Sequence, residues 1–414
     1  MAAIAENQVP VAGPGLFRNR AFMALFVGQT ISIIGDGFHS VALGLWVLQT
    51  TGSATAMATI MSVQMAANVL LGTLAGAIVD RVDRYRAMML INAVRFLLSG
   101  AIAYLIFSGV TTLLPLVILS GLLSVAGNFY GPALQASLII IVGKENVPKA
   151  VSLRQVTNTL AGVAGPLLGG TVVALAGGAT AMTVDAFTFL FAGIMTLLGG
   201  YFPSPARSGE ATRSIWHDMA EGIGYIRHNP LITSVVGLAP LLNFFGMASF
   251  LLLPVIAVRI WHASPTQFGA LEASVPLGLA IGAAVLMAVS KKLTRRGWWM
   301  IGAMFCNGLT MSLVPFMPSV VSALPILAVG GIFNAVVNVL LTIVIQTETP
   351  ADMQGRVFGT LNAVFSVANP MAMMLAGVLA DRFSPVLLAA GAGLAVVLLS
   401  ATVMPAAKAL RNYN

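Results

Sequence analysis

Long apolar runs, broken at short intervals by charges, Pro and Gly, dominate this chain. They fall into about twelve segments: 21–49, 54–79, 87–108, 113–142, 151–176, 179–202, 231–258, 265–290, 297–317, 319–347, 355–380 and 384–405. A helix needs roughly 20 apolar residues to cross a hydrocarbon core of about 30 Å, and every segment is long enough. The longest polar connection runs from Pro203 to Pro230. Within it Ile215, Met219, Ile223 and Ile226 recur near helical spacing, with His217, Asp218, Glu221 and Arg227 between them. That pattern predicts an amphipathic helix lying on a membrane face. The expected fold is all-α and integral to the membrane: a six-helix bundle over 1–202, a linker over 203–230 and a second six-helix bundle over 231–414.

Composition removes the soluble alternative. With 58% hydrophobic and 8% charged residues, a 414-residue globule has too little polar surface to face water. Mean hydropathy is +0.93. With the N-terminus placed in the cytoplasm, 17 of the 21 Lys and Arg residues fall on that side. The exceptions are Arg259 and Arg382 outside, and Arg95 and Arg154 within helices. The positive-inside rule then predicts an even number of crossings and cytoplasmic termini. The basic residues sit in scattered loops and form no stripe, so nucleic acid is not an expected partner. Cys306 has no second cysteine to pair with, and residues 1–16 lack the features of a signal peptide.

The two halves echo each other weakly. Asn158 to Pro166 in the fifth segment aligns with Asn362 to Pro370 in the eleventh, each placing Asn eight residues before Pro. Gly127-Asn128 and Phe333-Asn334 correspond at nearly the same offset. Parallel repeats of six helices predict a carrier with its substrate site between the halves.

The densest charge is in Gly76-Ala-Ile-Val-Asp80-Arg81-Val-Asp83-Arg84-Tyr-Arg86, expected to be a cytoplasmic turn. This stretch resembles the loop signature of the major facilitator superfamily, G-x-x-x-D-R-x-G-R-R/K, through Gly76, Asp80, Arg81, Arg84 and Arg86. It departs at Asp83, where most members have Gly. That departure, with Gly35-Asp36, Val184-Asp185-Ala186 and Gly355-Arg356-Val357-Phe358, resembles the macrolide-efflux branch of proton-coupled drug exporters. Gly165-Pro166-Leu-Leu-Gly169-Gly170 is similar to the antiporter motif of drug-exporting families. The resemblance covers the whole chain, and siderophore exporters and lysophospholipid transporters share much of it. It implies that Asp80, in one conformation, approaches the N-terminus of helix eleven near Gln354, Gly355 and Arg356, where free N–H groups favour an anion. The corresponding turn of the second half reads Lys291-Lys292-Leu-Thr-Arg295-Arg296 and lacks the acid, so an asymmetric gate is expected.

Deep charges are the remaining signal. A charge at mid-membrane costs about 2.5–3.5 kcal/mol on insertion scales, so Asp36, halfway along the first segment, is expected to face a cavity or a partner and to carry a coupling proton. His39 lies one turn on and is expected to share that proton or to hydrogen-bond the acid. Arg95 is a candidate counter-ion. Glu272 and Asp185 are further candidate acids, Asp185 with the alternative of holding helix six to its neighbours. Polar positions expected at a substrate cavity are Gln64, Asn128, Asn243, Asn334 and Asn338. Phe38, Tyr130 and Phe245 are the aromatic candidates beside them, a composition suited to bulky amphiphiles.

No G-x-x-x-x-G-K-S/T phosphate loop is present, so ATP is not the expected energy source. The four histidines are scattered without metal-ligand spacing, so no enzyme activity, metal or cofactor is expected beyond the proton as coupling ion. The expected function is export of hydrophobic or cationic drug-like molecules by a monomer in a bacterial inner membrane, using proton antiport and alternating access. A siderophore or a lysophospholipid is the alternative cargo.

Overall fold

The computed structural model describes residues 16–79, 81–109, 112–202, 215–289, 295–403, 407–411 and 413. Among them there is no strand. The helices are α1 (Arg20–Thr51), α2 (Ala54–Val79), α3 (Arg84–Phe107), α4 (Leu113–Val142), α5 (Val147–Gly199), α6 (Ile215–His228), α7 (Pro230–Arg259), α8 (Pro265–Val289), α9 (Arg296–Leu313), α10 (Val320–Glu348), α11 (Ala351–Ala380), α12 (Pro385–Leu398) and the short α13 (Lys408–Arg411). By length and composition, ten runs of the described residues qualify as membrane spans. The longest, Lys144–Gly199, is 56 residues. It reverses at Gly177, whose φ of 83° and ψ of 166° are non-helical, so α5 is two antiparallel limbs. The break falls between the segments expected at 151–176 and 179–202.

The charged turn is shorter than expected. Asp83 caps α3, its side chain accepting from the Arg86 N–H at 2.8 Å, so α3 starts at Arg84 and both Arg84 and Arg86 belong to its first turn. Asp83 also accepts from the Tyr201 hydroxyl at 2.8 Å, tying the start of α3 to the end of α5. Slight burial would raise its carboxyl, but the Arg86 N–H and the Tyr201 hydroxyl hold it below the ordinary range. The residue where this chain leaves the family pattern therefore has a structural job.

Among the described residues, the core clusters shared by the two bundles lie at one end. At the end carrying Thr51, Ala54, Gly177, Pro265 and Ala380, a continuous core joins Ala42, Val47 and Ala58 of the first bundle to Leu251, Leu252 and Ala376 of the second. A second shared core joins Val41 and Leu45 to Phe268 and Leu271. At the end carrying both termini, each described core cluster belongs to a single bundle: Leu25, Met88 and Leu134 on one side, Ile232, Leu340 and Leu361 on the other. Among the described residues the bundles are thus sealed together at the end carrying Thr51 and Ala380, and no core cluster joins them at the other.

The linker helix α6 docks on the second bundle. Ile226 is buried in its core, the Tyr225 hydroxyl donates to Glu348 O at 2.8 Å, and Arg356 at the start of α11 pairs with Glu221 at 2.5 Å. Residues 203–214 lie outside the description.

Candidate functional site

Two cavities of several hundred Å³ open inside the bundles among the described residues. The first, about 440 Å³, is walled mainly by α1, α2, α3 and α4, with Glu272 of α8 reaching in from the other bundle. Asp36, His39 and Ser40 follow one another at i, i+3 and i+4, so α1 turns all three to the same face. Arg95 donates to Asp36 Oδ1 at 2.7 Å, and its guanidinium lies 3.8 Å from the centroid of the Phe189 ring. Arg95 is nearly enclosed, at 10% side-chain exposure, whereas Asp36 is 46% exposed because it faces the lumen. Its partner is therefore fixed while the acid itself stays open to water and solutes. Ser40 donates to Glu272 Oε2 at 2.7 Å, a bond that crosses between the bundles.

His39 does not pair with Asp36. Its Nδ1 is 3.6 Å from Asp185 Oδ2. Asp185 is wholly buried and accepts from Ser99 Oγ at 2.7 Å, so it links α1, α3 and the second limb of α5 behind the cavity wall. Gln64 and Asn128 line the same cavity, and the Asn128 amide donates to Ala67 O at 3.1 Å, joining α4 to α2.

The second cavity, about 380 Å³, lies within the other bundle and carries Asn243, Asn334 and Asn338 together with Asn307, Thr310 and Met247. None of its described lining residues is charged. Asn243 donates to Asn369 across α7 and α11, and Asn338 to Asn334 O at 3.0 Å. The two cavities thus divide the chemistry, ionisable groups in one and amides with apolar side chains in the other.

The aromatic expectations need correction. Phe38 is buried in the core shared by the two bundles. Tyr130 is buried with Leu25 and Met88, and Phe245 packs on the core of the second bundle. None of them lines either cavity. Phe250 and Phe365 occupy the second one instead. Helical position alone does not say whether a large ring turns towards a lumen or a neighbouring helix, and at these three positions apolar packing prevails.

The glycines of α5 are contact surfaces on two sides. Gly165 and Gly169 lie against the backbone of α1 at Gly37 and Phe38. On the α8 side, a Cβ at Gly170 would stand 2.4 Å from Pro265 O, and one at Gly269 would stand 2.2 Å from Pro166 O. Backbone meets backbone here, and this crossing forms part of the seal between bundles.

In the loop signature, Arg81 lies in the turn, its N–H bonding Ile78 O at 2.9 Å, and Arg84 donates to Ala136 O of α4 at 2.9 Å. Gly76 is helical, within α2, and Gly355 lies in the first turns of α11 with open space around its Cα. Asp80 and Lys291 to Thr294 lie outside the described residues, so the expected approach of Asp80 to α11 and the comparison of the two turns do too.

Sequence reasoning missed Asp381. This residue caps the start of α2 from the other bundle, accepting from the N–H groups of Ala54 at 2.8 Å and Thr55 at 2.9 Å and from Ser53 Oγ at 2.8 Å. Arg259 of α7 donates to it at 2.5 Å, to Ala380 O at 3.0 Å, and to Gly52 O. Burial alone would raise this carboxyl, but the hydrogen bonds from Thr55, Arg259 and the Ala54 N–H hold it far below its ordinary value. A signal was present in the sequence, since Gly377-Val-Leu-Ala-Asp381-Arg382 repeats the G-x-x-x-D-R of Gly76 to Arg81.

Comparison with known proteins agrees with this architecture. The family model described as transmembrane secretion effector matches residues 12–413. The chain is 28% identical over 380 residues to the multidrug efflux pump Tap of Mycolicibacterium fortuitum, covering 88% of this chain and 90% of that protein. It is 26% identical over 401 residues to the enterobactin exporter EntS of Citrobacter koseri, covering 95% and 93%. Among solved structures, a bacterial homologue of the human lysosomal transporter Spinster superposes with a TM-score of 0.74 at 13% identity, covering 97% of this chain and 98% of that one. The relatives are transporters, and with its paired bundles and whole-length match this chain belongs to the transmembrane secretion effector family of the major facilitator superfamily.

Proposed function

We propose that this protein exports a bulky, largely apolar small molecule from the cytoplasm of a bacterial cell in exchange for protons, by alternating access. The observation that carries the reading is the meeting of Asp36, Arg95 and Glu272 in one cavity whose walls come from both bundles. Protonation of Asp36 would weaken its bond to Arg95. Protonation of Glu272 would alter its bond to Ser40, which spans the bundles and so ties the proton to their relative position. His39 and Asp185 stand behind this pair as a relay or a brace. Cargo is assigned to the amide-lined cavity of the second bundle, where several hydrogen-bonding groups within an apolar, Met-containing wall suit varied amphiphiles.

Charge bias supports placing the termini, the linker helix and the loop signature in the cytoplasm. On that orientation the sealed end faces outward and the conformation described is open to the cytoplasm. The proposed topology has twelve crossings, counting α2 and both limbs of α5, and the working unit is a monomer.

A siderophore is the second reading, favoured by the relatives that are enterobactin exporters. The absence of a basic residue among the described lining of the second cavity favours neutral or cationic cargo over an anionic one. Efflux of macrolides, cationic dyes and a siderophore from cells expressing the protein tests both. Protonophore-sensitive efflux of dyes or macrolides is expected. Efflux of the siderophore alone would move the assignment to the second reading, and efflux insensitive to the protonophore would refute proton exchange.

A further inference from the structure

The pattern G-x-x-x-D-R occurs twice in a chain with only 13 acidic residues, once closing α2 and once closing α11. These two helices belong to different bundles and run antiparallel, so α11 ends beside the start of α2. At that junction each element of the pattern has a visible role. A Cβ on Gly377 would stand 2.4 Å from Ala58 Cβ and 2.9 Å from Ala54 O, so glycine is what brings α11 against the first turn of α2. Asp381, four residues later, then reaches the exposed N–H groups of Ala54 and Thr55, where the helix dipole favours an anion. Arg259 braces the acid and at the same time holds the Gly52 carbonyl of the turn between α1 and α2. Arg259 is one of the few basic residues outside the cytoplasmic loops, and this contact gives it a use there.

The start of α11 has Pro350 in the capping position with no side-chain cap. The other G-x-x-x-D-R closes α2, whose end lies towards the same face of the molecule.

We propose that Asp381 is the outer gate latch of this transporter: it locks α11 to the N-terminus of α2 while the protein is open to the cytoplasm, and it releases α2 in every cycle. The proposal rests on the alternating-access reading above. Its bonds cross the bundle interface at the sealed end, which has to part for cargo to leave. They lie at the water-exposed rim, with Asp381 and Arg259 about one quarter exposed, so the freed carboxylate and N–H groups are hydrated on release. The carboxyl is held well below its ordinary value, so it stays ionised at working pH. The latch is therefore a mechanical element, separate from the proton site at Asp36.

Spin-label distance measurements on the full-length protein in nanodiscs test this without cargo or a proton gradient, so the outcome does not depend on the transported molecule or on coupling. In a Cys306→Ser background, labels at Ser108 and Phe316 report the sealed end, and labels at Glu145 and Gln346 report the end carrying the termini. Asp381→Asn is expected to lower the ratio of closed to open outer distances about tenfold and to shorten the inner distances together with that change. Asp381→Glu should restore part of the wild-type distribution. Arg259→Gln provides a second variant that leaves the capping acid in place, with a smaller shift in the same direction. Unchanged outer distances in both Asp381→Asn and Arg259→Gln would overturn the proposal. So would an outer end that loosens while the inner distances stay fixed, because that is local fraying and not gating.

Discussion

Gly269→Ala is the sharpest test of how the sealed end is built. The added Cβ would stand 2.2 Å from Pro166 O and 3.1 Å from Gly170 Cα, both backbone atoms that cannot rotate away. Ordinary contact begins near 3.4 Å, so α5 and α8 must separate by about 1 Å at this crossing. Overpacking of this kind costs typically about 1–3 kcal/mol. The strain exists only where the two helices touch, so it penalises the conformation in which this end is sealed and not the one in which the bundles part there. The expected result is a fall of about 5- to 150-fold in the ratio of sealed to open forms. The reporter is Ala257→Cys in a Cys306→Ser background, since Ala257 is wholly buried in the shared core at that end. Its reaction with a membrane-impermeant maleimide added from outside should accelerate by the same factor. Gly131→Ala, where a Cβ meets nothing within 4 Å, is the control and should leave the rate unchanged. A Gly269→Ala rate within twofold of wild type would refute the seal. A fall in melting temperature with no gain in reactivity would refute it too, because the glycine would then serve folding alone.

Two further outcomes follow from the rim of the molecule. Asp83 has a folded pKa below its ordinary value, so its stabilisation of the α3 start is complete above about pH 4 and is lost as pH falls through the folded pKa. The protection factor of the first turn of α3, exchange corrected for its intrinsic pH dependence, should fall on acidification in wild type and stay flat in Asp83→Asn, and Tyr201→Phe should shift the transition to higher pH. For the linker helix, burial outweighs charge: Ile226→Ala should cost about 2–5 kcal/mol of docking and speed exchange throughout α6. Glu221→Gln, a half-exposed pair, should cost at most about 1 kcal/mol. The reverse ranking would show that the ion pair holds α6 in place.

Much of the fold was legible because a hydrocarbon solvent imposes a plain pattern. The helical segments and the reversal at Gly177 follow from apolar length and from where charges and glycines interrupt it, whereas the docking of the linker helix on the second bundle does not. The candidate site was legible in part, since a charge at depth needs a partner, and Asp36, Arg95 and Glu272 do share a cavity. Which partner each takes was hidden. Helical spacing put His39 on the same face as Asp36, but the nearest acid, Asp185, arrives from a helix nearly 150 residues on in sequence. Phe38, Tyr130 and Phe245 were misplaced for the same reason, because a period of 3.6 gives a face without naming the neighbour across from it. Asp381 was legible only as a repeat of the G-x-x-x-D-R pattern of Gly76 to Arg81, and the pattern does not name the helix start that the acid caps; its contacts with Ala54 and Thr55 do.

If protons entering the Asp36 cavity drive transport, proteoliposomes holding wild type or Asp36→Asn will show it when dye accumulation under an imposed pH gradient is compared with dye exchange at equal pH. Asp36→Asn is expected to keep exchange and lose gradient-driven accumulation. Accumulation by Asp36→Asn equal to that of wild type would contradict it.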